Sequence, residues 1–183
     1  MYRIVTVRDT VRVPPKAFGD DMKKTLLDIL RNTYEAKWDS DLGYMLVVKD
    51  VLSFDVGRVI PGDGASYHDV AFEMLVYSPK LYEVVTGEVV EILEFGAFMR
   101  LGPMDGLVHV SQITNDYINF DKKNRTLIGK ESKHILKEGD LARARIITFS
   151  SKSEVTKIGL TMRQPYLGKL EWIDEEKNVE EGA

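Results

Sequence analysis

Over residues 2–13 apolar Ile4, Val5, Val7, Val11 and Val13 are interleaved with Arg, Asp and Thr, close to the two-residue period of a half-buried strand. Pro14-Pro15 ends that run, because proline has no N–H to give to a ladder. From Phe18 the period changes: Phe18, Met22, Leu26 or Leu27, Leu30 and Tyr34 recur at helical spacing, which predicts an amphipathic helix of about 18 residues. WDSDLG is turn chemistry, YMLVVKDVLSF reads as a strand, RVIPGDGASYHD groups turn formers, and VAFEMLVYS resumes as a strand. Residues 1–80 therefore read β-α-β-β, an α+β domain with its joint at Ser78-Pro79.

The pattern then shortens. LYEVVTGEVVEIL, FGAFMRL and GLVHV are β-rich runs separated by glycine-containing turns, and LARARIITF and VTKIGLTMR follow after a long polar stretch. Five strands with the long connection between the third and fourth predict an all-β Greek-key barrel of the OB type over residues 81–170. No internal repeat stands out.

Charge changes this picture once it is counted by segment. The 183 residues carry 25 Lys and Arg against 29 Asp and Glu, a net charge of −4 that argues weakly against a nucleic-acid partner. Residues 171–183, however, hold six acidic side chains against one basic, and residues 95–169 hold 13 basic against seven acidic. The ending EEKNVEEGA predicts a solvated end to an acidic tail over 171–183, below which lies a basic barrel stretch, while the aromatics of QPYLGKLEW at 164–172 either pack back onto the chain's own domains or meet a partner. The absence of cysteine excludes disulfides, thiolate metal sites and cysteine nucleophiles. Neither a signal-peptide core nor an apolar run of membrane-spanning length is present, so a cytoplasmic protein with no membrane partner is expected.

Few residues suggest catalysis. Gly62-Asp63-Gly64 lacks the third glycine of a dinucleotide cradle and reads as a tight exposed turn. Asp39-x-Asp41 opens like a calcium loop, but Tyr44 stands where glycine is required and Asp50 where glutamate is. His68, His109 and His134 have no metal spacing, and no serine sits in a nucleophile elbow. No catalytic residue, metal or cofactor is expected. Phe95 and Phe98 stand three apart, which a regular strand puts on opposite faces. Either a bend at Gly96 turns both outward or one of them fills the barrel. Arg143 and Arg145 share a strand face, which suits a phosphate track or a plain solvated edge, and Arg100 is a further candidate.

The run Gly87 to Phe98, with FGAF at its end, followed by DGLVHVSQI at 105–113, Gly139-Asp140 and KIGLT at 157–161, closely resembles the S1-type RNA-binding domain, an OB-fold variant. The resemblance implies that Phe95, Phe98 and His109 form an RNA-facing surface with Lys157 as a basic position beside them. Single strands bind such surfaces by stacking bases on aromatic faces and pairing phosphates with cations. The family's acidic position before its last strand falls near Ser150 or Ser151 here, so base-specific contacts do not carry over.

From the strand, Pro-Pro and helix opening, through GDGASYHDVAFE, to TMRQPYLGKLEWI, the chain also resembles the larger of the two stalk proteins of archaeal DNA-directed RNA polymerase, relatives of the eukaryotic polymerase II stalk. That resemblance implies an RNP-like N-terminal tip domain that docks on the polymerase core near the clamp. Pro14, Pro15, Gly19, Gly62, Asp63 and Gly64 would form the docking tip. It also implies a heterodimer with the small helical stalk subunit, support of promoter opening, binding of emerging single-stranded RNA, and no catalysis by the isolated chain. Two other readings use the same barrel: a translation or ribosome-associated factor, and an RNA-processing enzyme with an S1-type substrate clamp. Residues 1–80 offer the latter no cluster of acids, histidines or nucleophile.

Overall fold

The computed structural model describes residues 1–19, 21–152 and 155–181, with the side chains at 151–152, 155–156 and 176–181 outside the description. The chain divides into two compact units, Met1–Pro79 and Lys80–Ala183.

The first unit contains β1 (Tyr2–Val13), α1 (Met22–Tyr34), β2 (Lys37–Asp39), β3 (Gly43–Phe54), β4 (Arg58–Val59) and β5 (Ser66–Tyr77). The sheet order is β1-β5-β3-β2, with β4 paired to β5. Antiparallel β1 and β5 stay in register from Tyr2↔Tyr77 to Val13↔Ser66. Helix α1 lays Leu26 and Leu30, both fully buried, on Val11, Val48, Phe72 and Met74 of the sheet. Each such leucine contributes about 1.5–3 kcal/mol by leaving water.

The helix starts four residues later than its periodicity predicts. Pro15–Ala17 form a 3₁₀ turn, Gly19 takes φ +99°, and Asp21 caps α1 by accepting a 3.0 Å hydrogen bond from the Lys23 N–H. Phe18 is therefore outside the helix and exposed. The two segments read as turns also pair: β2 lies in WDSDLG and β4 before PGDG, and β5 begins at Ser66 rather than Val70. Strands of two or three residues are too short to carry a period.

The second unit contains β6 (Val84–Leu93), β7 (Gly96–Arg100), β8 (Asp105–His109), β9 (Ile118–Asp121), β10 (Thr126–Gly129), β11 (Ile135–Leu136), β12 (Leu141–Lys152), β13 (Val155–Thr161), β14 (Gly168–Lys169) and α2 (Leu170–Glu181). Strands β6, β7, β8, β13 and β12 close into a five-stranded barrel: β12 pairs with β13 and with β6, and β8 runs parallel to β13. Closure needs strands that curl, and register shifts between Val89 and Glu91 and between Ile146 and Thr148 supply the extra bend. The interior is filled by buried Val89, Ile92, Met99, Val108, Ile146 and Leu160, with Ala97, Ala142 and Ala144 where space narrows. The long connection carries a small sheet of its own, ordered β11-β10-β9.

The chain packs back onto its own unit ahead of the acidic ending. Trp172 and Ile173 are buried at the start of α2, and the indole stacks on His134 with centroids 4.7 Å apart. Lys169, buried itself, reaches Asp140 at 3.1 Å and Glu171 at 2.6 Å. The apolar Trp172-Ile173 pair decides the outcome over the like charges that follow it, because its burial outweighs weak, screened surface repulsion.

Candidate nucleic-acid interface

Strand register sets which side chains share the outer barrel wall. Phe98 on β7 lies opposite Leu107 on β8, and Leu107 lies opposite Gly159 on β13. Alternation then places His109, two residues beyond Leu107, and Lys157, two before Gly159, on that same outward side, with Arg100 two beyond Phe98. The doubt about Phe95 and Phe98 resolves at Gly96. Its backbone runs so close to β8 that a Cβ would meet the Val108 carbonyl oxygen at 2.3 Å, and the chain turns there. Phe95 is consequently exposed and Phe98 half-buried, with ring centroids 6.4 Å apart and planes at 89°. An edge-to-face pair holds its rings in fixed orientation while leaving ring surface open to a stacked base.

His109 is oriented as well as exposed. The Ser111 N–H donates to its Nδ1 at 3.2 Å and the Ser111 hydroxyl lies 2.8 Å from the same atom. An N–H can only donate, so Nδ1 is the acceptor and the neutral ring carries its proton on Nε2, as a donor.

The wall is not uniformly positive. Glu91 lies opposite Phe98, Glu88 lies opposite Arg100, and Arg100 itself pairs with Asp105 at 3.5 Å. The acidic cluster of β6 thus edges the aromatic patch on one side, and the side open to a polyanion is that of β8 and β13, with His109 and Lys157. The place of Glu91 opposite Phe98 escaped the sequence reading because it depends on the shifted register at Val89–Glu91, whereas Leu107 is set there by the regular β7–β8 pairing.

Arg143 and Arg145 are not brought to this patch. They stand on β12 opposite Thr86 and Val84, so β6 lies between them and β7, and Arg145 also faces Thr161. Both are half-buried, and the Nε of Arg145 is buried without a hydrogen-bond partner among the described residues.

Of the expected tip residues of the first unit, Pro15 and Gly64 meet, while a Cβ on Gly19 or Gly62 would touch nothing within 4 Å. A Cβ on Gly64 would touch Pro15 at 3.4 Å. Arg12 on β1 clamps Asp63 with two hydrogen bonds of 3.0 and 2.8 Å, and Tyr67 adds a third at 2.7 Å. Hydrogen bonding from Arg12 and then Tyr67 holds the Asp63 carboxyl well below its ordinary range. Asp63 is thus occupied in fastening its own loop, while Val56, Val59 and Ile60 stand exposed beside it. The signal for these three was the apolar content of VGRVIP inside a turn-rich segment.

Ser66, His68 and Asp55 mimic a catalytic relay. The Ser66 hydroxyl is 2.9 Å from His68 Nε2, and Nδ1 donates to the Asp55 carbonyl oxygen at 3.1 Å. The ring is buried under the Gly57 backbone, so the arrangement braces the loop and offers no reactive face. Among the described residues, no group of three or more carboxylates or histidines could hold a metal ion, and no helix is long and apolar enough to cross a membrane.

Residues 8–64 match the family described as the SHS2 domain found in the N terminus of Rpb7p/Rpc25p/MJ0397, and residues 78–149 match the S1 RNA binding domain. The chain is 45% identical over 179 residues to DNA-directed RNA polymerase subunit Rpo7 of Saccharolobus shibatae, covering 97% of this chain and 99% of that one. It is 44% identical over 177 residues to the Rpo7 subunit of Sulfolobus acidocaldarius, covering 96% and 97%. DNA-directed RNA polymerase II subunit RPB7 of Saccharomyces cerevisiae is 27% identical over 173 residues, covering 93% of this chain and all of that one.

Proposed function

The chain belongs to the Rpo7 family of archaeal DNA-directed RNA polymerase subunits, and from that premise we propose that its barrel captures emerging single-stranded RNA on the wall formed by Phe95, Phe98, His109 and Lys157. The protein is a non-catalytic stalk subunit, so its contribution is binding and placement. The observation that carries the RNA reading is the outward edge-to-face pair of Phe95 and Phe98 beside an oriented histidine, on a wall edged by Glu88 and Glu91 on its β6 side and with Asp105 paired to Arg100. Arg100 extends the surface, while Arg143 and Arg145 serve as an outlying electrostatic supplement.

Docking on the polymerase core near the clamp is assigned to the tip, where Pro14, Pro15, Gly19, Gly62 and Gly64 give a stiff backbone that a partner can approach closely and Asp63 locks the loop. The exposed Val59 and Ile60 support a protein contact at that place. The heterodimer with the small helical stalk subunit, the support of promoter opening and the cytoplasmic setting complete the proposal. Tethering raises the local RNA concentration, so modest intrinsic affinity suffices for capture.

The test is equilibrium binding of a labelled single-stranded RNA to the full chain. Phe98→Ala is expected to weaken binding about 5- to 100-fold, the range of one lost stack. Lys157→Ala should lower the slope of log affinity against log salt by about 0.7, the value for one phosphate contact on a single strand. Unchanged affinity with both residues replaced would remove the proposed wall.

A further inference from the structure

The outer wall does not stop at His109. Because β8 and β13 run parallel, the outward pair Leu107 and His109 is flanked by Lys157 and Gly159, and beyond the strand ends Arg163 reaches the Ser111 carbonyl oxygen at 3.2 Å. Lys157 on β13 and Arg163, two residues past its end, therefore mark the two ends of one track. Past the 3₁₀ turn Val110–Gln112 this track opens into a groove of about 560 Å³, walled by that turn, the following loop, β9 and Arg163. The groove joins the aromatic patch directly, since the Val110 N–H donates to the Phe95 carbonyl oxygen at 2.9 Å.

Its chemistry fits one nucleotide unit. Arg163 is fixed by neutral acceptors, the Asn115 Oδ1 at 2.8 Å and the Ser111 carbonyl oxygen at 3.2 Å, and no carboxylate pairs with it among the described residues. Its positive charge is therefore oriented and has no ion-pair partner among the described residues. The bond from Arg163 also settles the Asn115 amide, whose NH₂ is left to donate. Tyr117 lines the same groove and is 71% exposed on a backbone fastened at both ends: its N–H donates to Asp116 at 2.6 Å and its carbonyl accepts from Lys130 at 2.9 Å. Lys122 lies on the same lining. Two carboxylates also line it. Asp116 is saturated by the Glu131 and Ser132 N–H groups and the Ser132 hydroxyl, and Glu94 repels phosphate from the β6 side toward Arg163.

We propose that the RNA path runs on from the barrel wall into this groove, where Tyr117 stacks a base and Arg163 and Lys122 hold the adjoining phosphates. This extension rests on the RNA reading of the barrel. It makes the small inserted sheet part of the binding surface and lengthens the site beyond the five barrel strands.

The test compares Tyr117→Ala, Lys122→Gln and Phe98→Ala in the full chain. The probe is an oligouridine of about 12 nucleotides, toward the long end of OB-fold site sizes. Tyr117→Ala is expected to weaken binding about 5- to 100-fold, and Lys122→Gln to lower the salt slope by about 0.7. Both residues are exposed, and an unchanged melting temperature separates lost contact from lost fold. If wild type binds and Phe98→Ala weakens it while Tyr117→Ala and Lys122→Gln change nothing, the extension is wrong and the barrel reading stands. Loss with Tyr117→Ala but not with Phe98→Ala supports the groove and removes the barrel wall. No binding by wild type overturns both, and a Tyr117→Ala protein that keeps its RNA affinity but loses the small stalk subunit assigns the groove to protein.

Discussion

A methyl group on Gly57 would lie 2.4 Å from the His68 ring, whereas one on Gly62 would meet nothing within 4 Å. Both glycines have positive φ, +87° and +91°, so alanine at either carries left-handed strain of about 1–2 kcal/mol. Only Gly57→Ala adds a clash with a buried ring that is held by Ser66 and Asp55. It should destabilise the protein by about 1–3 kcal/mol more than Gly62→Ala, the usual cost of overpacking, as read from urea unfolding of the two variants. Equal midpoints would show that His68 yields, and that its hydrogen bonds do not hold the loop. At this scale the outward placement of Phe95, Phe98 and His109 was legible from the motif they belong to. The sequence is unreadable where a role depends on what lies across space, as with Gly57 beneath His68 or Asp63 clamped by Arg12.

Among the elements, α1 joins its sheet through Tyr34, the last helical residue. The ring packs on Phe72 with centroids 5.3 Å apart and the hydroxyl donates to Asp9 on β1. Burial first, and then the hydrogen bond to Asp9, push the Tyr34 pKa up to about 12. An unfolded tyrosine ionises near 10, so the stability this residue contributes is complete below about pH 10 and is lost as pH rises toward 12. The stability difference between wild type and Tyr34→Phe should therefore shrink across that window. A constant difference, measured by denaturant unfolding at each pH, would show that the phenol titrates alike in both states.

Elements with a sustained period were legible, including β1, the buried face of α1 and the five barrel strands. The errors share one physical cause, since short segments are decided by neighbours: β2, β4 and the inserted sheet pair because an edge is available, and α2 forms because Trp172 finds His134. The curl of β6 and β12 depends on register shifts with no marker in the local pattern, and the shift in β6 places Glu91 beside Phe98, while Arg143 and Arg145 are kept away because β6 lies between β12 and β7.

For the molecule as a whole, net charge is a poor guide to its partner. The −4 comes from the acidic end and from the glutamates on and around β6, while the proposed RNA wall is bounded by Lys157 on β13 and Arg163 just past its end. Such a layout favours a polyanion that runs along β8 and β13 and disfavours one that lies across β6, so orientation is set by repulsion as much as by attraction. The proposed function gives anchoring to one unit and capture to the other, so tip variants should release the subunit from the polymerase and leave its RNA affinity intact. The most direct measurement is photocrosslinking in a transcribing archaeal polymerase reconstituted with this chain, using 4-thiouridine in the emerging transcript. The predicted result is adducts on the 95–109 segment that decline with Phe98→Ala; a working enzyme that contains the subunit and yields adducts only on other subunits would contradict RNA capture by the barrel.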